Sequence, residues 1–285
     1  MKYMYFPGCS LKSSGRLYEQ SLLAVLNKMN FSIHEIENWN CCGATTYMSI
    51  NENYAVEIAS RNLALAERQG GDEIIVPCAA CYMGLLKTQN YIATDEAIRT
   101  RVHRELAKTG LSGNLTIKVR HPLDLFVNII GLDAIKQHVQ APLKGLKVAS
   151  YYGCQLIRPF STFDNVWDPQ TLDMIVKVLG GESLYWPLKT RCCSGSMTST
   201  MPNIGSRMNF VLLQNAKSRG ADVIITACPL CQFNLECFQG KLSKQYREDV
   251  RMPVMYFTQL MGLAFGLSEK ELGLNRMLSP ALSHS

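Results

Sequence analysis

The chain has 285 residues, 47% of them hydrophobic and 18% charged, enough to bury two ordinary cores. Its 29 basic residues exceed the 23 acidic ones without forming a dense run, so the net charge of +6 reads as a solvated surface rather than a nucleic-acid footprint. Residues 1–8 lack an apolar run long enough for a signal peptide, and Val254 to Leu267 is too short to span a bilayer. A cytoplasmic, reducing location follows as the expectation, and it disfavours disulfides.

In chain order, a short strand over Tyr3–Phe6 runs into Gly8-Cys9-Ser10, and a second strand candidate, Ile33–Ile36, precedes Cys41-Cys42. A helix over about Tyr54–Arg68 stops at Gly70, a C-terminal cap signal, and a β-branched strand leads into Cys78-Ala79-Ala80-Cys81. Cys78 and Cys81 open a further helix, Tyr82 to about Gln89. There, a spacing of three puts both sulfurs on one face of the first turn, beside unpaired amides that favour thiolate. Thr116–Val119 is the fourth strand and leads towards Asp124-Leu125-Phe126. Gly131 to Gly145 reads as a short helix and a Pro/Gly-punctuated linker.

The same succession then recurs. Strand Val148–Tyr152 leads to Gly153-Cys154, Ser183–Trp186 precedes Cys192-Cys193, and a helix over about Ile204–Ser218 stops at Gly220. A strand then enters Cys228-Pro229-Leu230-Cys231, and Val254–Phe257 leads to Gln259-Leu260-Met261. Ala66–Cys78 aligns with Ala216–Cys228 at a constant offset of 150 residues. Strands alternating with helices predict a parallel sheet in each half, so the chain is expected to be two tandem Rossmann-like α/β repeats, each a small parallel sheet with flanking helices. The expected boundaries are residues 1–140, residues 146–267 and a polar tail, 268–285. Every cysteine group follows a predicted strand, so loops distant in sequence are expected to meet at one sheet edge.

Ten of the eleven cysteines thus form two copies of one pattern. In the first, Cys9, Cys41, Cys42, Cys78 and Cys81 are separated by intervals of 31 and 35 residues; in the second, Cys154, Cys192, Cys193, Cys228 and Cys231 by 37 and 34. Five thiols per copy supply a metal centre larger than one tetrahedral ion, which puts iron–sulfur chemistry ahead of structural zinc and of disulfides. Cys237 lies outside both sets and reads as a small buried hydrophobe.

Both copies resemble the CCG domain found in the B subunit of heterodisulfide reductase and in related iron–sulfur proteins of lactate, glycolate and succinate oxidising systems. The resemblance covers about residues 2–265. It rests on Pro7-Gly8-Cys9-Ser10, Cys41-Cys42-Gly43-Ala44-Thr45, Pro77-Cys78-Ala79-Ala80-Cys81, Tyr151-Tyr152-Gly153-Cys154, Arg158-Pro159, Cys192-Cys193 and Cys228-Pro229-Leu230-Cys231. It implies two noncubane four-iron four-sulfur clusters, one per copy, held by those ten cysteines, with a disulfide reduced between them. Two such clusters would each deliver one electron and take one emerging thiolate. It also implies partners: a ferredoxin-like subunit, since no ferredoxin-type cysteine run is present here, and a flavin-containing one. The substrate is expected to be a small-molecule or carrier-bound disulfide. A sulfane or persulfide substrate, or a non-catalytic electron-transfer role in a lactate, glycolate or succinate system, remains an alternative.

The second copy departs from the motif, reading Cys192-Cys193-Ser194-Gly195. The glycine is expected to provide close approach or a positive φ; either Gly195 takes over by a local shift, the favoured expectation, or the second site is looser or differently loaded. Three further residues are candidates for the chemistry: Arg158 as an anion-binding group, His121 as a proton donor to a leaving thiolate, and Lys189, with Arg191, as a positive charge stabilising a reduced cluster.

Overall fold

The computed structural model describes residues 1–44, 46–280 and 282; Thr45 of the first Cys-Cys-Gly motif and tail residues 281 and 283–285 lie outside them. Two four-stranded sheets, both wholly parallel, organise the chain. The first contains β1 (Tyr3–Tyr5), β2 (His34–Glu35), β3 (Glu73–Ile75) and β4 (Lys118–Arg120) in the order β2-β1-β3-β4. The second contains β5 (Lys147–Tyr151), β6 (Glu182–Ser183), β7 (Val223–Thr226) and β8 (Val254–Tyr256) in the matching order β6-β5-β7-β8. The central strands β1 and β3, and β5 and β7, are buried as continuous runs, except for exposed Lys147, as expected of parallel strands covered on both faces. Two tandem Rossmann-like repeats are therefore the architecture.

This strand order reverses direction between the two central strands, and such a switch point opens a crevice beyond their carboxyl ends. Cys9 follows β1 and Cys78 follows β3 across that point; Cys154 and Cys228 do so in the second sheet. The helices that return the chain are set by local signals. Asn51 caps Glu52–Arg68 by accepting from Asn53 N and Tyr54 N, and Gly70 ends that helix at φ +73°. The equivalent helix, Pro202–Ser218, begins with proline and is followed by Gly220 at φ +79°.

Compact units do not coincide with the sequence repeats. One unit comprises Met1–Lys12 and Ser32–Leu125, the other Ser13–Phe31 and Phe126–Ser285. The second cut falls where the π-helical turn Leu125–Gly131 begins. Helix Arg16–Lys28 lies between β1 and β2 in sequence, yet it is built into the second unit. There Tyr18 stacks on Tyr256 at 4.6 Å between ring centres, and Ser21 Oγ meets Thr258 Oγ1 at 2.6 Å. Leu22, Val25 and Leu26 complete its buried stripe. In the first unit, buried Arg120 bridges Glu73 and Asp124, tying the end of β4 to the start of β3. Among the described residues, no helix is long and apolar enough to cross a membrane.

Because Tyr18 is fully buried against two aromatic rings, Tyr18→Ala is expected to cost about 3–5 kcal/mol. Leu23, exposed on the same helix, is the control: Leu23→Ala is expected to stay within about 0.5 kcal/mol of wild type in urea denaturation.

Candidate metal centres

Both sets of five thiols come from three loops at the carboxyl edge of their own sheet. The turn after β1 carries Gly8 at φ +67°, and a Cβ built there would stand 2.9 Å from Cys81 Sγ. Gly153, at φ +69° after β5, would meet Cys231 Sγ at 3.0 Å. Glycine is required twice over at these positions, by backbone angle and by contact with sulfur. Phe6, packed edge-on against Trp39, lies beneath Gly8; Tyr151, packed on Trp186, lies beneath Gly153. Cys78 immediately precedes helix Ala79–Thr94 and Cys228 helix Pro229–Cys237, so Cys81 and Cys231 each sit in a first helical turn, as the spacing predicts.

No disulfide forms. Cys42 and Cys81 sulfurs are 3.0 Å apart, Cys193 and Cys231 3.5 Å, and Cys154 and Cys192 3.9 Å. Three thiols of each set are buried (Cys42, Cys78 and Cys81; Cys193, Cys228 and Cys231), whereas Cys9, Cys41, Cys154 and Cys192 reach towards solvent. The sulfurs meet in pairs rather than as one tetrahedron: among the described residues, no group of three or more Cys, His, Asp or Glu is arranged around a single ion. A donor set of five thiols with a glycine backbone against one sulfur suits a bulky, soft, multi-iron group.

The structure corrects the expectation for the second Cys-Cys motif. Ser194 itself adopts φ +75°, the value of its counterpart Gly43 at +74°, and Gly195 follows at +55°. A non-glycine residue in this region is uncommon. Here the Ser194 hydroxyl bonds Cys193 O and meets Thr198 Oγ1 at 2.7 Å. Local bonds of this kind are how short polar side chains hold a left-handed turn.

Hydrogen bonds among the sulfurs decide which is the natural thiolate. In the first set, bonds from Cys41 and then Cys81 hold Cys42 well below the usual thiol range, while Cys81, bonded to Cys42 and Cys78 and buried, is pushed up. In the second set the low one is Cys192, held to about 3 by bonds from Cys154 and Cys193, by the Ser194 backbone N–H and by the Arg158 charge. Its neighbour Cys193 is pushed up to about 12, first by its bond to Cys192.

The other three candidates are placed differently from one another. Arg158 is exposed, precedes a cis peptide to Pro159, and donates to Thr190 O while its charge acts on Cys192. His121 is fully buried; its Nδ1 accepts from Leu123 N at 3.1 Å and its Nε2 faces Pro77 O at 2.9 Å, so Nε2 carries the proton and both nitrogens hold backbone. Lys189 turns its ammonium to Asp168 at 2.6 Å and Pro169 O at 2.7 Å, while its carbonyl accepts from Tyr152 N and Gly153 N. It therefore fastens the Cys154 turn to the loop 158–170, a role with no sequence signal. Arg191 is exposed, and its carbonyl accepts from Tyr151 Oη at 2.6 Å.

Two outcomes follow from this geometry. Gly153→Ala is expected to lose about 1–2 kcal/mol from its positive φ and about 1–3 kcal/mol more from crowding Cys231, while Gly220→Ala, with open space around it, shows only the first loss in thermal denaturation. In the metal-free chain at pH 7, iodoacetamide should alkylate Cys192 far faster than Cys237, whose thiol is pushed up to about 11 by burial and by Glu236. The Cys237 rate should climb about tenfold per pH unit below that value, and that of Cys192 should stay flat down to about pH 4, read by peptide mass spectrometry.

Comparison with known proteins agrees with the duplicated design. The CCG cysteine-rich domain matches twice, over residues 3–86 and 148–236. The chain is 30% identical over 276 residues to the 8-methylmenaquinol:fumarate reductase membrane anchor subunit of Wolinella succinogenes, covering 96% of this chain and 95% of that protein. It is 29% identical over 281 residues to the B subunit of the ferredoxin/F(420)H(2)-dependent CoB-CoM heterodisulfide reductase of Methanosarcina acetivorans, covering 96% and 93%. A crystal structure of a hypothetical protein from Helicobacter pylori shares the fold, with a TM-score of 0.80 at 16% identity; the match spans 98% of this chain and 52% of that one. With two domain matches covering more than half its length, and with each matched segment carrying one complete five-cysteine set, the chain belongs to the CCG cysteine-rich domain family.

Proposed function

We propose that the chain is the catalytic component of a heterodisulfide reductase-like complex, a cytoplasmic oxidoreductase that reduces, or reversibly forms, a disulfide. The observation that carries this reading is the presence of two complete five-thiol sets at equivalent strand ends, each with a glycine backbone against one sulfur. A relay protein needs only closely spaced ordinary clusters, whereas splitting one S–S bond between two sites calls for two equivalent ones. The repeats are taken as residues 1–140 and 146–267, with 268–285 as a tail.

Cys9, Cys41, Cys42, Cys78 and Cys81 are the proposed ligands of one noncubane four-iron four-sulfur cluster, and Cys154, Cys192, Cys193, Cys228 and Cys231 of the other. Such a cluster supplies a one-electron reductant and iron sites that bind thiolate. The chain's own residues do the positioning. Gly8 and Gly153 let the backbone close on the site; Lys189 fixes the turn that presents Cys154; His121 holds the Pro77 carbonyl beside Cys78. Exposed Arg158 offers a guanidinium to an anionic group on the substrate. Electrons are proposed to arrive from a ferredoxin-like partner and ultimately from a flavin-containing one.

The similarity to a fumarate reductase component favours one second reading, in which the chain passes electrons within a quinol-linked or succinate-type oxidoreductase without acting on a disulfide. Anaerobically purified chain is expected to hold about eight irons, four per cluster, and no zinc. In the reconstituted complex, Cys81→Ala and Cys231→Ala should each lower disulfide reduction by orders of magnitude, with the double variant scarcely worse than either, as for groups acting as a unit. A folded Cys231→Ala chain that lacks the second cluster but retains most of the rate contradicts the two-cluster mechanism and leaves the second set a structural or relay role. Disulfide reduction by the isolated chain with a nicotinamide donor overturns the proposed electron route.

A further inference from the structure

The two thiol sets are built alike up to the residues that follow each Cys-Cys pair, and there they diverge in a compensated way. In the first, Gly43 and Ala44 follow Cys42, and the facing helix Ala79–Thr94 carries Gly84; a Cβ at Gly84 would stand 3.0 Å from the Ala44 methyl. In the second, Ser194 and Gly195 follow Cys193, and the position 150 residues after Gly84 is Asn234, on helix Pro229–Cys237. The side chain has moved from the turn to the helix.

What replaces the methyl is a hydrogen-bond donor. Asn234 is 1% exposed, and its Nδ2 donates to Gly195 O at 2.9 Å and Cys193 O at 3.1 Å while lying 3.5 Å from Cys193 Sγ. Backbone N–H groups serve both sets in the same manner, Ala44 on Cys42 and Gly195 on Cys193. The Asn234 amide is therefore an added donor in the second set at a position where the first, having glycine, has no side chain to give. Donors to a ligand sulfur, and positive charge nearby, stabilise an added electron at an iron–sulfur centre and raise its potential. Arg158, bonded at Thr190 O, brings such a charge to the second set.

We propose that the second thiol set holds the more easily reduced of two centres, and that Asn234 is the positioning residue that sets the difference. An electron shared between the centres then rests on the second. This rests on the iron–sulfur reading above, and deepens it by giving the two copies unequal roles.

Redox titration of the intact, anaerobically purified chain, followed spectroscopically, tests it. Two midpoints are expected, and the higher should survive in Cys81→Ala. Asn234→Ala should lower the higher midpoint and leave the other in place, with unchanged iron content. The reciprocal variant, Ala44→Gly with Gly84→Asn, installs the second copy's pairing in the first and should raise the lower midpoint; it decides the matter even where Asn234→Ala loses iron. Equal midpoints in the wild type, or potentials that ignore both changes, overturn the proposal while leaving the iron–sulfur reading intact. A wild-type chain with no iron, seen by elemental analysis before any potential is measured, overturns that reading itself.

Discussion

The whole arrangement hangs on a contact between backbone and sulfur. Gly8 lies against Cys81 Sγ and Gly153 against Cys231 Sγ, where an added methyl carbon would stand 2.9 and 3.0 Å from the sulfur. That contact is available only because β1 neighbours β3 and β5 neighbours β7, all parallel, so the turn after one central strand meets the helix start after the other. The ladder carries on past the strand proper: Phe6 N still donates to Ile75 O at 3.0 Å. A bulkier residue in the turn would crowd that sulfur and press the lone cysteine away from the Cys-x-x-Cys helix without replacing any cysteine.

Duplication has preserved this contact while letting its surroundings drift. Phe6 became Tyr151 at the equivalent place, and its hydroxyl now bonds Arg191 O. The thiol held lowest is the second of the pair in the first set and the first of the pair in the other, because the sulfur that receives the most hydrogen bonds has changed. Beside the second set runs a loop, residues 158–170, that Lys189 fastens through Asp168 and Pro169. Two sites of common ancestry thus present different charge and different rims.

Much of this is legible in the sequence, for identifiable reasons. Strands announce themselves by short β-branched or aromatic runs before the cysteine groups, helix ends by Gly70 and Gly220, and the repeat by a constant offset of 150 residues between Ala66–Cys78 and Ala216–Cys228. Other features are not, because they depend on partners distant in sequence. Amphipathic spacing in Arg16–Lys28 says that one face is buried but not that the cover is the helix after β8. Propensity points to Gly195 for the left-handed turn and away from Ser194, since the compensating Thr198 hydroxyl has no pattern of its own. Lys189 reads in sequence as a charge for a cluster; its side chain is spent on Asp168, and its backbone on the Cys154 turn.

The placement of helix Arg16–Lys28 bears on how the chain is made. Ser21 bonds Thr258, 237 residues later, and Tyr18 waits for Tyr256. At about 5–20 residues per second, the ribosome takes roughly 12–50 s to supply that partner. During the interval an apolar stripe of Leu22, Val25 and Leu26 has no native cover, and the second sheet, once synthesised, must still recruit a segment from near the amino terminus. The second unit is therefore completed only when residues from both ends of the chain have met. Cutting the chain between its sequence repeats severs a core rather than freeing a domain.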